Sequence, residues 1–450
     1  MRDVAALSSP LARDGGFRNW ARTEASQPRA WHLPAAEDQV VSLVREAAGS
    51  GRRVRVVGAG HSFSAIAAPD DLAVSLDRYA GVVGWSEGEV TVRAGTRLRD
   101  LNTALAQRGL ALPILGSIAQ QSVAGAVATG THGSSLVHGN LASLVTAVRL
   151  VDGHGQVVEI GPGESAGDER LDGVRVHLGA LGALTELTLR VEPAFALTQT
   201  VETVPVGEVG ARLEEIGRSA EYVKVWWVPH TPDALVFRYQ RTAGRSAERT
   251  AGPGSQLPVA ERWVDQRVVH PGVLPLLFRW QNRRSGGVPR MNGVVARTLV
   301  KGPRTGPSPL MFSTPDPARH DETEAAVPLA QAAAAFDALV ALFDGDLRAN
   351  FIAELRYVRG DRNWLSPAYG GDVVQLGAYT ALRPHRDRYF EAFWDAMPAG
   401  ARPHWGKAFG QSATELAPLY PRWDAFARLR DELDPDRVFG SPFLERILGS

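Results

Sequence analysis

Two short stretches bring together residue types that could do chemistry. In Val54-Arg55-Val56-Val57-Gly58-Ala59-Gly60-His61-Ser62-Phe63-Ser64 a β-branched run hands over to two glycines and then to an imidazole. The run reads as a strand, and Gly58 and Gly60 allow a sharp bend and a close backbone approach to a phosphate. His61, at the end of that turn, is either a locally hydrogen-bonded turn residue or a nucleophile. The second stretch is Phe351 to Val358. Read as a strand, its period of two puts Ile352, Glu354, Arg356 and Val358 on one face and Phe351, Ala353, Leu355 and Tyr357 on the other. Glu354 and Arg356 therefore form either a structural ion pair or a polar-ligand site. Desolvating such a pair on an otherwise apolar face is costly, which favours a ligand that uses it.

Gly58-x-Gly60 looks like the first half of a dinucleotide-binding GxGxxG. His61, Ser62 and Phe63 stand where the third glycine and its helix belong, and an extended Leu72 to Leu76 follows, so a nicotinamide Rossmann site is not expected. Leu115 to Ser135 is a second run of small and hydroxyl residues, suited to lining a long polar ligand with backbone N–H groups and hydroxyls. A flexible linker is the alternative, against which Ile118, Val123 and Val127 keep returning to an apolar side.

The elements that would position these residues follow from periodicity. Val40, Val41, Leu43, Val44 and Ala47 recur at helical spacing within 34–50, and Gly51 closes that helix. Val90 to Ala94 alternates as a strand before a helix from Leu98 to Gln107. Ala147–Val151 and Val157–Ile160 flank Asp152-Gly153-His154-Gly155, a hairpin turn. Val206 to Ala220 reads as a helix, Val223 to Trp227 as a strand, 242–257 as a polar surface loop, and Pro328 to Phe343 as an alanine-rich helix. Val373 to Thr380 reads as a strand, and Tyr420 to Leu433 carries a helix.

Composition sets the outer limits. The chain has 450 residues, 44% of them hydrophobic, enough for two cores. Lys+Arg and Asp+Glu balance at 49 each, so no global field recruits nucleic acid or an anionic membrane. With no cysteine there is no disulfide, thiolate metal site or cysteine nucleophile, and no metal site is expected. No long apolar run is present, and a cytoplasmic protein is the expectation.

Gly58 to Ser62, the stretch 116–135 ending in Thr129-Gly130-Thr131-His132-Gly133, and Leu181-Gly182 resemble the flavin-binding domain of the vanillyl-alcohol-oxidase superfamily. Glu221-Tyr222 through His230-Thr231, Glu354-Leu355-Arg356 with Asp361 and Leu365-Ser366-Pro367, and Arg402-Pro403-His404-Trp405-Gly406-Lys407 are similar to the aldonolactone oxidoreductases, with the alditol oxidases as near relatives. The resemblance implies an α+β, two-lobed flavoenzyme: an FAD-binding domain over 1–195 with a C-terminal return at 421–450, and a sheet-and-helix substrate domain over 196–420.

It further implies FAD held by Val57, Gly58, Ala59, Gly60, His61, Ser62, Gly116, Ser117, Ser122, Gly125, Ala126, Thr129, Gly130, Thr131, His132, Gly133, Gly182 and His404, with His61 carrying the covalent bond. Glu354 and Arg356 would hold sugar hydroxyls, Lys407 would orient a substrate oxygen or face the flavin, and Thr380, with Gln375 or Ala378, would complete the pocket. Ala378 stands where some alditol oxidases have histidine, which weakens a polyol reading. The implied reaction is hydride transfer from a sugar-acid lactone to flavin, with reoxidation by O2 gated at Gly125 or Ala126. An alditol oxidase, a lactone dehydrogenase with another acceptor, and an inactive flavin- or sugar-binding module are the alternatives.

Overall fold

The computed structural model describes residues 10, 15–161, 169–242, 274–299, 302–313 and 318–449. Most of the polar stretch 242–257 lies outside them. Two antiparallel sheets and a small parallel one organise the chain. The parallel sheet pairs β1 (Ala30–His32) and β2 (Val54–Val57) to either side of β3 (Leu72–Ser75). Strands β4 (Val82–Ser86), β5 (Glu89–Arg93), β6 (Val145–Val151), β7 (Val157–Ile160) and β8 (Ala183–Arg190) form a five-stranded sheet in the order β7-β6-β8-β5-β4.

The third sheet has eight strands. These are β9 (Ala196–Pro205), β10 (Tyr222–Trp227), β11 (Asp233–Arg241), β12 (Arg304–Pro307), β13 (Asp321–Pro328), β14 (Ala353–Val358), β15 (Val373–Thr380) and β16 (Arg402–Pro403). They run in the order β12-β9-β11-β10-β14-β15-β13-β16.

Amphipathic spacing produces the helices that cover these sheets. Helix Glu37–Gly49 buries Val40, Val44 and Ala47, and Gly51 follows it at φ +63. Helix Leu98–Ala106 buries Leu98, Leu101 and Leu105. Leu329–Ala341, the alanine-rich helix, lays Ala332, Ala335, Phe336 and Leu339 into the core beneath the large sheet. The expected single helix over 206–220 is two short ones, Val206–Val209 and Leu213–Arg218. Gly210 between them has no room for a side chain, because a Cβ would lie 2.4 Å from the Asp337 carboxylate on the neighbouring helix.

One core gathers the first two sheets together with Trp405, Leu416, Tyr420, Phe426, Leu433, Phe439 and Ile447, so the C-terminal segment packs back on the first lobe. Asp434 fixes that return. It is fully buried and accepts the Val438 and Phe439 N–H groups at 2.8 and 2.9 Å, directly against Gly153 of the 152–155 hairpin turn. Asp434→Ala would leave two buried donors without an acceptor, and it is expected to lower unfolding stability by about 2 kcal/mol, read as a fall in Tm. No helix among the described residues is long and apolar enough to cross a membrane.

Candidate active site

The eight-stranded sheet has one apolar face and one polar face, and strand alternation decides which residue goes where. Val223, Val225, Trp227, Ala353, Leu355, Tyr357, Val374, Leu376 and Ala378 form the core under the helices. The alternate residues face the first lobe. Lys224 stands opposite Arg356 and Trp226 opposite Glu354; across the next ladder Arg356 meets Gln375 and Glu354 meets Gly377. On the far side Gly377 faces Glu324 and Tyr379 faces Glu322.

Glu354 lies at the centre of this face and is 3% exposed. Its Oε1 accepts the Trp226 indole N–H at 2.6 Å, and its Oε2 accepts Arg356 Nη2 at 2.6 Å and the Tyr379 hydroxyl at 2.7 Å. Lys224 Nζ is 3.9 Å from Oε1. Burial by itself would raise this carboxyl, but Arg356, Lys224 and the hydrogen bonds outweigh it and hold it at about 2. Burial likewise pulls Lys224 down to about 8 against the attraction of Glu354. Arg356 also donates to Ser117 Oγ at 2.8 Å, joining this face to the small-residue loop of the first lobe, and its Nε is buried without a partner.

Thr380 is not part of this cluster. In β15 it shares the helix-covered side with Ala378, stands opposite Asp321, and its Oγ1 accepts the Leu382 N–H at 3.0 Å. The pocket position belongs to Tyr379. A shift of one residue moves every side chain of a strand to the other face, so placing Thr380 and Ala378 in the pocket was out of register, while Gln375 lies on the polar face. Gly377 makes the arrangement possible, because a Cβ there would come within 2.9 Å of the Tyr379 ring that crosses toward Glu354.

Opposite the polar face lie the two glycine-containing loops. Gly60 has φ +67, and the Cβ it lacks would lie 2.9 Å from Pro10; a Cβ on Gly58 would lie 2.6 Å from Ser122 Oγ. The two loops thus meet at backbone distance. Ser122 caps the helix Val123–Ala128, Gly116 is pressed against Thr131 and His132, and Gln121 donates to Thr131 at 3.1 Å. Thr129 closes back on the Gly125 carbonyl at 2.9 Å, and Gly130 turns the chain at φ +69.

Val57 and Ala126 point into cores. Gly182 approaches Val151 in the sheet, away from the polar face. Ser62 and Phe63 dock on the 404–407 turn: Phe63 N–H donates to Gly406 O at 2.7 Å.

His61 stacks on Trp20 with ring centroids 5.8 Å apart, and its Nε2 is buried without a partner. Burial, with Arg97 and Lys407 nearby, depresses it to about 4, so the imidazole is neutral with a lone pair free for bonding. His177 is similarly buried, neither of its ring nitrogens has a partner, and burial brings it to about 3.

His132, Glu324 and His404 meet on the β13 side, their nitrogen and oxygen atoms within 4.8 Å of one another. His404 Nδ1 accepts the Gly406 N–H at 3.0 Å. The neutral ring therefore carries its proton on Nε2 and has no lone pair left for a metal, so the cluster is a hydrogen-bonding group around the Glu324 carboxylate. Lys407 pairs with Glu322 Oε2, and its ammonium lies 4.9 Å from the Phe63 ring and 5.8 Å from Tyr379. Lys224, Tyr379, Glu322, Glu324 and His320 join the site without having been singled out in the sequence. The signal was the alternation in Asp321-Glu322-Thr323-Glu324, whose acidic period of two places both glutamates on one face.

Two closely packed glycine turns, a neutral imidazole with an unpartnered nitrogen beside them, and a charged sheet face opposite suit a flavin-binding oxidoreductase. A family model for an FAD binding domain matches residues 28–161, and one for D-arabinono-1,4-lactone oxidase matches 187–447. The chain belongs to the D-arabinono-1,4-lactone oxidase family.

It is 33% identical over 438 residues to an L-gulono-1,4-lactone dehydrogenase of Mycobacterium tuberculosis, covering 96% of this chain and 99% of that protein. To an L-gulonolactone oxidase of Bos taurus it is 29% identical over 441 residues, 96% of this chain and 98% of the relative. The fold is shared with the cholesterol oxidase of B. sterolicum, at a TM-score of 0.78 and 17% identity, over 96% of both chains. The residues present fit FAD: the loops are built of small residues packed at close quarters, and His61 Nε2 and Arg356 Nε are buried polar atoms without a protein partner.

Proposed function

We propose that this enzyme oxidises a secondary alcohol of a sugar-acid lactone, of the gulono-, galactono- or arabinono-1,4-lactone type, to ascorbate or an analogue. The observation that carries this reading is the buried Glu354–Arg356 pair, held by Trp226 and Tyr379 and turned toward the two glycine loops. FAD, when bound, supplies the two-electron acceptor for the hydride. The chain's own residues do the rest.

Arg356, a planar donor fork, and the Glu354 carboxylate hold adjacent sugar oxygens and orient the C–H to be cleaved. Lys407 presents its nitrogen from the opposite edge of the face. Gly58 to Ser62, Gly116, Ser117, Ser122, Gly125, Thr129 to Gly133 and His404 line the cofactor. Residues 1–195 with 421–450 act as the FAD lobe and 196–420 as the substrate lobe. An anaerobic panel of lactones and alditols, followed at the flavin absorbance band, tests the reading: bleaching by a lactone is expected, and bleaching by alditols alone would overturn it.

His61 is proposed to bond the flavin covalently, since its neutral, unpartnered nitrogen lies at the glycine turn. Flavin is expected to stay with the polypeptide after acid precipitation of the wild type. It should be released from His61→Ala, which should still bind FAD through the two loops. Flavin released from the wild type would remove the bond.

A further inference from the structure

His320 and Glu322 have no part in the reading above, yet their geometry contains one proton more than a carboxylate and a neutral ring. His320 Nδ1 is 2.7 Å from the Ala318 carbonyl oxygen, which can only accept, so Nδ1 carries a hydrogen. Its Nε2 is 2.5 Å from Glu322 Oε1. A neutral ring protonated at Nδ1 offers only a lone pair there, and a carboxylate oxygen offers only lone pairs. The contact is attractive only with a proton inside it. Glu322 Oε2, the other oxygen, takes Lys407.

The surroundings hold this arrangement in a dry, rigid box. His320 stacks on Phe351 at 4.5 Å and packs against Trp20, Phe63 and Tyr379. Burial lowers His320 to about 4 and Lys407 to about 7, which brings Lys407 into the range where ammonium and amine exchange. The other charged groups nearby are accounted for: Asp321, on the opposite face of β13, is paired with Arg386 at 2.6 Å, and Glu324 sits against His132. His61, across the gap, is neutral. Tyr379 links the group to Glu354 through its hydroxyl.

We propose that Glu322 and His320 form a proton-holding dyad that sets whether Lys407 stands as ammonium or amine, and that Lys407, as the amine, takes the hydroxyl proton of the alcohol being oxidised. This rests on the lactone reading and names the proton acceptor for it. The substrate O–H bond breaks and an N–H bond forms at Lys407 Nζ. The O–H electron pair stays on oxygen and becomes the second bond of the carbonyl, while the C–H electrons leave with the hydride. As Lys407 gains charge, the shared proton moves fully onto His320 Nε2, and Glu322 faces the new ammonium as a carboxylate. No proton is created or lost. Glu322 and His320 are positioning residues, because they act through Lys407.

The test is the pH dependence of kcat/KM for a lactone, measured on flavin-loaded wild type, Glu322→Gln and His320→Asn. Free amine is the active form, so activity falls as pH drops through the Lys407 titration. Glu322→Gln removes the anion that favours the ammonium, and the acid limb is expected to move to lower pH. His320→Asn removes the ring that shares the Glu322 proton, leaves a full carboxylate beside Lys407, and is expected to move the limb to higher pH. Shifts of about one pH unit each way, tenfold at a fixed pH on the limb, are expected.

A purely structural pair would lower activity at every pH without opposed shifts, and that result, or two shifts of the same sign, would overturn the proposal. A second readout needs no substrate: the short His320–Glu322 contact should give a low-field proton resonance in wild type that both variants lose. Its absence from wild type would also overturn the dyad. Failure of every lactone to bleach the flavin would overturn the lactone reading instead, with the resonance still deciding the dyad.

Discussion

Replacing Arg356 by alanine is expected to lower kcat/KM for the lactone by a factor of about 100 or more, and Glu354→Gln by a similar factor, with the flavin spectrum little changed. The two losses have different physical routes. In Arg356→Ala the carboxylate, 3% exposed in the wild type, loses its nearest cation, and the link to Ser117 disappears. Trp226 and Tyr379 still donate but carry no charge, and Lys224 is 3.9 Å away. Stranding an ion in this way costs about 3–5 kcal/mol, so the carboxyl takes up a proton instead.

The sign of the resulting pH effect is fixed. In the wild type Glu354 is held at about 2 and stays ionised throughout the working range. Without Arg356 its titration rises toward neutrality, and an acid limb that belongs to Glu354 enters the rate profile. Glu354→Gln keeps the shape and removes the anion, leaving Arg356 and Lys224 to repel each other, and no such limb develops. Steady-state kinetics across pH on both variants checks this. Wild-type turnover in both would mean that the pair is structural and that substrate binds elsewhere.

What the sequence revealed of this site depended on where hydrophobicity and function coincide. The turn 58–62 was legible because glycine has a distinctive backbone role and β2 before it is rich in valine, broken only by Arg55. Strand β14 was legible because its core side alternates cleanly with Glu354 and Arg356. Strand β13 was not, since Asp321-Glu322-Thr323-Glu324 is as polar as a surface turn. Its polarity is satisfied by His320, two residues from Glu322, and by Lys407 and His132 from distant parts of the chain, and hydrophobic alternation does not announce such partners.

Thr380 shows a different limit. Val373 to Thr380 is buried along its whole length, so alternation in hydrophobicity cannot tell which side faces the ligand. Only the ladder to β13 and β14 fixes the register, and it selects Tyr379. The single helix expected over 206–220 is interrupted between Val209 and Leu213, and the close approach of Asp337 at Gly210 is a tertiary contact that helical spacing does not show.

Gly125→Ala is expected to slow reoxidation of the reduced enzyme by O2 at least about tenfold, an added barrier of about 1.4 kcal/mol, while reduction by lactone changes little. Gly125 and Ala126 were equal candidates for this gate by position. They are not equal in space, because Ala126 is fully buried in the core of the first lobe. Gly125 lies on the loop side, where a Cβ would meet a single neighbour within 4 Å, Ser122 Oγ at 2.9 Å, next to the turn at Gly58. The added methyl would therefore occupy room beside the cradle and push Ser122 off its cap on the Gly125 N–H.

Those two effects separate with Ser122→Ala, which loses the cap, about 1 kcal/mol of stability, but leaves the space open. If O2 reaches the site past Gly125, Gly125→Ala is slow and Ser122→Ala is not. Equal slowing in both would mean that helix geometry controls the rate and that the methyl blocks nothing. Wild-type reoxidation already slow before any substitution would assign the enzyme to dehydrogenases with a different acceptor, the activity that the Mycobacterium tuberculosis relative is named for.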